Sequence, residues 1–170
     1  MSDSFIKAFG SDNSLVGAFF ATVLAHPDKA LLHDKRDGQW QVQSYSEVAD
    51  KVARLASYLR YCSIQKGDRV CIYLPMIPEL AISVLACARI GATHSVVFGG
   101  FSAQSLRDRI EDTGAKAVIT ADHQIRGGKQ LPLKSIVDEA LVLGGCDSIK
   151  NVLVVKRSGA DVAMTAGRDT

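Results

Sequence analysis

From Lys66 onward, four short apolar runs alternate with helical patterns, and no other feature of the chain narrows its fold as much. Arg69–Leu74, residues 95–98, residues 115–120 and Asn151–Val155 are continuously hydrophobic rather than alternating, which suits strands covered on both faces. Between them, Pro78–Ile90, residues 102–112 and Leu133–Val142 carry helical spacing. Proline stands in the first turn of the first helix, and Gly91 and Gly114 stand just past the ends of the first two. The order β-α-β-α-β-α-β predicts an α/β fold: a mainly parallel sheet flanked by helices and joined by right-handed crossovers. Ligands of such sheets collect at the carboxyl ends of the strands.

Ahead of this core the pattern predicts a helix, a β-hairpin and a second helix. Residues 15–24 (LVGAFFATVL) read as a buried helix stopped by His26-Pro27, because proline cannot continue the helical hydrogen-bond ladder. Residues 30–34 and 39–43 flank Lys35-Arg36-Asp37-Gly38, where Asp-Gly suits a tight hairpin turn. Ser44 and Glu47 form a capping-box pattern ahead of Val48, Val52, Leu55, Ala56 and Leu59 at helical spacing. The chain thus divides into residues 1–65 (helix, hairpin, helix), 66–156 (α/β core) and 157–170, a tail without a core pattern of its own that reads as truncated.

At 170 residues the chain suits one globular domain. Lys plus Arg number 20 against 18 Asp plus Glu, with no basic run, so bulk charge selects neither nucleic acid nor a membrane surface. Cys62, Cys71, Cys87 and Cys146 lie far apart without metal-ligand spacing and read as free thiols of a reducing cytoplasm. The N-terminus lacks a basic export region, and residues 15–25, the longest apolar stretch, fall well short of the roughly 20 residues that span a bilayer.

Two glycine-bearing segments have the chemistry of an anion site. Phe98-Gly99-Gly100 ends a strand and opens a helix at Ser102, so the backbone can approach a ligand beside free helix amides. Arg126-Gly127-Gly128-Lys129 sets two cations around two glycines, where guanidinium and ammonium can grip one phosphate. Spacing alone does not separate these roles from a tight strand-to-helix connection and a solvated surface loop. Leu74-Pro75-Met76-Ile77-Pro78-Glu79 reads as a rigid turn into a helix whose positive end Glu79 complements. His94, beside a strand and without a visible partner, reads as packing. No GxxxxGK[ST], GxGxxG or HExxH signature occurs, and no catalytic or metal-ligating residue emerges from spacing.

The stretch KGDRVCIYLPMIPELAISVLACARIGATHSVVFGGFS, residues 66–102, closely resembles the acetyl-CoA and propionyl-CoA synthetases of the adenylate-forming superfamily. The similarity runs on through residues 107–112, 116–122 and 126–129, then 132–134 and 137–141, and into Val154-Val155-Lys156-Arg157 and Gly167-Arg168-Asp169. Residues 28–59 match more loosely. The resemblance implies an enzyme that joins a short carboxylic acid to ATP, with magnesium, and passes the acyl group from AMP to coenzyme A. It implies that Arg126, Gly127, Gly128 and Lys129 contact the phosphorylated adenosine end of coenzyme A, with Phe98, Gly99 and Gly100 beside them. Lys129 stands where some relatives have arginine, keeping the charge but not the planar fork. In that family the Ser/Thr/Gly-rich phosphate loop, the Tyr-x-x-Thr-Glu segment, the acyl pocket and the C-terminal domain follow the part matched here. The resemblance therefore implies an N-terminal portion, inactive alone. Two other readings compete with it: a standalone coenzyme A- or nucleotide-binding domain, and a fragment that self-associates through unpaired sheet edges.

Overall fold

The computed structural model describes residues 14–36 and 38–170, so Asp37 of the expected hairpin turn and residues 1–13 lie outside the described residues. Helix α1 (Leu15–Ala25) is capped by the Ser14 hydroxyl, which accepts from the Gly17 amide at 2.9 Å, and it ends at His26, one residue before Pro27. Strands β1 (Ala30–Arg36) and β2 (Gln39–Ser44) pair antiparallel, with Gly38 at φ 79° in the connection. Helix α2 (Tyr45–Tyr61) opens on the expected capping box: Ser44 Oγ accepts from the Glu47 amide, and the Glu47 carboxylate accepts from the Ser44 amide. Its stripe of Val48, Val52, Ala56 and Leu59 is buried.

The core sheet follows. Strands β3 (Arg69–Leu74), β4 (Thr93–Phe98), β5 (Ala117–Ala121) and β8 (Asn151–Val155) are all parallel, in the order β4-β3-β5-β8. Burial explains their sequences. Central β5 is buried at every residue and central β3 at all but Arg69, whereas edge strand β4 leaves Val96 and Phe98 exposed. Helices α3 (Pro78–Ile90), α4 (Ala103–Thr113) and α5 (Leu133–Val142) make the crossovers. Pro78 opens α3, and Gly91 and Gly114 close α3 and α4 in the left-handed region. Helix α3 packs on α2 and α1, while α4 packs on α5. The β3–β4 crossover runs one way along the sheet and the β4–β5 and β5–β8 crossovers run the other, so crossovers of one hand place these two groups on opposite faces.

One element was not legible in the sequence. Strands β6 (Gln124–Arg126) and β7 (Lys129–Leu131) form an antiparallel hairpin between β5 and α5. Gly127 and Gly128, at φ 55° and 75°, supply the two successive positive φ angles of its tight turn. The segment read as a loop after the strand is thus a two-stranded ribbon separate from the main sheet.

The tail, which has no apolar pattern, is held by polar anchors. Asp169, with its side chain fully buried, pairs with Lys134 Nζ at 2.9 Å and with the Arg168 guanidinium at 2.5 Å. Lys134, itself only 1% exposed, also binds Asp138 and the Ala163 carbonyl. Backbone bonds from Val152 to Arg168 and from Val154 to Thr170 lay the tail along the outer edge of β8.

Candidate functional site

Strands β3, β4, β5 and β8 end at Leu74, Phe98, Ala121 and Val155, and the last residue of β4 together with the segments that follow the other three lines one cleft of about 280 Å³. The chain leaves β3 toward β4 and leaves β5 the other way toward β8, so the exits of β3 and β5 diverge and open a crevice at the point where strand order reverses. Pro75 comes from the first exit, Phe98 from the second, Gln124, Ile125 and Arg126 from the third, and Arg157 from the fourth.

The Phe98-Gly99-Gly100 turn is held from two sides. Gln124, 4% exposed, donates its side-chain amide to the Gly99 carbonyl. A Cβ on Gly99 would stand 2.6 Å from Gln124 Oε1 and 3.3 Å from the Pro75 nitrogen, so only glycine fits without displacing them. From below, the buried Tyr73 donates its hydroxyl to the Phe101 carbonyl at 2.8 Å and accepts from the Gly100 amide at 3.4 Å. Burial pushes the Tyr73 phenol up, against a smaller opposing pull from the Gly100 amide, so the hydroxyl stays a donor at neutral pH.

Gly100, at φ 139°, lets Arg126 come close: a Cβ there would lie 2.8 Å from an Arg126 guanidinium nitrogen. That guanidinium rests over the Phe98 ring, 5.4 Å from its centroid. The fold therefore brings Phe98, Gly99, Gly100 and Arg126 together across 25 residues of sequence or more. Gly127 and Gly128 form the exposed tip of the hairpin with open space around them. Lys129 is the cross-strand partner of Arg126, two like charges directly opposed. Among the described residues neither cation takes part in an ion pair.

Asp122, fully buried at the end of β5, ties this ribbon to the end of β8. Its carboxylate accepts from the amides of His123 at 2.6 Å, Arg157 at 3.0 Å, Ser158 at 3.0 Å and Gly159 at 3.0 Å, and from the Ser158 hydroxyl at 2.9 Å. Burial alone would raise its pKa, but this set of donors outweighs it and keeps the carboxyl below its ordinary range, hence ionised. Tyr73, Asp122, Gln124 and Arg157 were not singled out from the sequence. Only their long-range contacts reveal them. His94 sits opposite Val70 near the start of β4, away from the cleft, and Glu79, in the first turn of α3, accepts from Arg36 at 2.7 Å.

With this geometry in place, comparison with known proteins is decisive. Residues 19–166 match the family model described as AMP-binding enzyme. The chain belongs to the AMP-binding enzyme family. Over 140 residues it is 57% identical to acetyl-coenzyme A synthetase of Cupriavidus metallidurans, a match covering 82% of this chain and 21% of that protein. The acetyl-coenzyme A synthetase of Herminiimonas arsenicoxydans is 56% identical over the same shares. Acetoacetyl-CoA synthetase from Streptomyces lividans superposes with a TM-score of 0.81 at 25% identity, over 91% of this chain and 24% of that one. This AMP-binding enzyme chain thus spans about a fifth of the length of the curated relatives it matches. Among its described residues no helix is long and apolar enough to cross a membrane, and no three His, Cys, Asp or Glu side chains cluster to hold a metal ion.

Proposed function

We propose that the chain is the N-terminal portion of an AMP-forming short-chain acyl-CoA synthetase, and that its cleft holds the phosphorylated adenosine end of coenzyme A. The observation that carries this reading is the convergence of Phe98-Gly99-Gly100 with Arg126 at the strand ends, in a chain 57% identical to an acetyl-coenzyme A synthetase. In the reaction, a short carboxylate attacks ATP and releases pyrophosphate, and the coenzyme A thiol then displaces AMP. Acetate is the acid the relatives' names favour, with propionate the next candidate. Magnesium would accompany ATP, but the described residues supply no donor set for it, and no adenylation step is assigned to them. Four unbridged cysteines suit a cytoplasmic enzyme.

The part played by this chain is to bind and orient. Opposed cations at the end of the β6–β7 hairpin repel each other until an anion sits between them, so a phosphate relieves the repulsion as it binds. The clamped glycine turn gives the ligand a fixed wall. Calorimetric titration of the chain with coenzyme A and dephospho-coenzyme A tests the reading. Dephospho-coenzyme A is expected to bind roughly tenfold more weakly, the worth of about one charge-assisted contact, and the double variant R126A/K129A to erase the difference. Equal binding of both ligands to the unaltered chain would reject the role. Acetate-dependent ATP/pyrophosphate exchange by the chain, purified free of any longer homologue, would refute its assignment as a non-catalytic portion.

A further inference from the structure

We propose that Arg157 is a second anion-binding residue of the cleft, acting with Arg126 on a phosphate group of the bound ligand. The proposal deepens the coenzyme A reading and rests on it. Arg157 follows β8, Arg126 follows β5, and both guanidinium-bearing residues line the same cleft of about 280 Å³, at the small end of ligand pockets and suited to one phosphorylated end.

The placement of Arg157 is fixed while its charge is largely unspent. Its backbone amide donates to the buried Asp122 carboxylate at 3.0 Å, which holds the residue at the rim whatever its side chain does. Among the described residues the guanidinium has one ion-pair contact, to Asp34 at 3.4 Å. That carboxylate is already nearer to Arg36, at 2.9 Å, and Arg36 in turn binds Glu79 at 2.7 Å. A guanidinium carries five N–H donors, so one long contact to a shared carboxylate leaves most of them available. Burial would raise the Asp34 pKa, but Arg36 and Arg157 outweigh it, so the carboxylate stays charged and offsets only part of the local positive charge.

The hollow at the opposite end of the sheet shows what spent cations look like. It is larger, about 820 Å³, and two of the three cations that line it, Arg69 and Lys116, are held there, while Lys150 is the third. There Arg69 donates to the carbonyls of Thr113 at 2.7 Å and Gly114 at 3.0 Å, and Lys116 pairs with Asp68 at 2.7 Å. In the cleft, by contrast, the Arg126 guanidinium rests on an aromatic face and, among the described residues, takes part in no ion pair, while Arg157 meets a divided carboxylate. Two guanidiniums in this state favour a phosphate, whose oxygens accept from planar forks.

The test is coenzyme A titration of R157A, R157Q, R157K and R126A/K129A, with K150A as a control for loss of a cation at the other end of the sheet. Arg157→Ala and Arg157→Gln are expected to weaken binding roughly three- to tenfold, and Arg157→Lys to recover part of the loss, because it restores charge but not the fork. Lys150→Ala should leave affinity unchanged. Arg157→Gln keeps length and polarity should the alanine variant fail to fold, and circular dichroism verifies each. A loss confined to coenzyme A and absent with dephospho-coenzyme A identifies the 3′-phosphate as the group held, whereas an equal loss with both ligands identifies the diphosphate. Wild-type affinity in R157A and R157Q, alongside weakened R126A/K129A, would overturn the role of Arg157 and leave the coenzyme A reading standing. Unchanged affinity in R126A/K129A as well would overturn both.

Discussion

Replacing Asp169 by Asn should destabilise the chain at neutral pH and do so progressively less in acid. The Asp169 side chain is fully buried. Burial alone would raise its pKa, but Arg168, the Thr165 amide and Lys134 outweigh that and bring it down to about 2. In the unfolded chain an aspartate titrates near 3.9. A carboxyl whose pKa is lowered by folding contributes stability that is fully present above the unfolded value and is lost as the pH falls through the folded one. The shift corresponds to between about 2 and 3 kcal/mol at pH 7, of which roughly half remains at pH 3. Asparagine keeps the size and loses the charge, and Lys134 and Arg168 both retain Asp138, at 2.6 Å and 2.7 Å, so neither cation is left bare. Urea unfolding followed by far-ultraviolet circular dichroism, at pH 7 and pH 3, gives the difference between Asp169→Asn and the unaltered chain. A destabilisation of the same size at both pH values would refute the linkage argument.

Three further outcomes follow from particular contacts. Gly99→Ala forces its new methyl against Gln124 Oε1 and the Pro75 nitrogen; it should cost about 1–3 kcal/mol in urea unfolding and weaken coenzyme A binding. Ser63 sits at φ 63° after α2, so Ser63→Gly should stabilise the chain by about 0.5–1 kcal/mol, read as a higher urea midpoint. Cys71 and Cys87 are buried, and burial pushes both thiols up to about 12, while Cys62 is partly exposed; a disulfide reagent at pH 8 should therefore modify Cys62 first and reach Cys71 and Cys87 only on unfolding.

The parts of the fold that were legible are those whose reason is local. Strands β3 and β5 showed themselves because both of their faces are buried, which demands unbroken apolar residues. Helices α2 and α3 were marked by a capping box and by Pro78 with Gly91. The β6–β7 hairpin was not, because its three-residue strands are mostly polar and stand outside the sheet, so they carry no period. Nor was the docking of the tail, since it depends on Asp169 reaching a buried Lys134, a residue type ordinarily found at the surface. The same division runs through the site. Gly99, Gly100 and Arg126 stood out as glycines and a cation near strand ends, whereas Gln124, Asp122 and Arg157 act across 25 to 37 residues of sequence that only the parallel topology brings together.

The central claim is that coenzyme A binds at the carboxyl ends of the strands, and amide chemical-shift mapping of an isotopically labelled chain titrated with coenzyme A tests it most directly. The account predicts that the amides of Gly99, Gly100, Ile125, Arg126 and Lys129 shift together and saturably, while those of Ser63, Lys116 and Lys150 at the opposite end of the sheet stay in place. Shifts centred on the latter group, or none at saturating ligand, would contradict it.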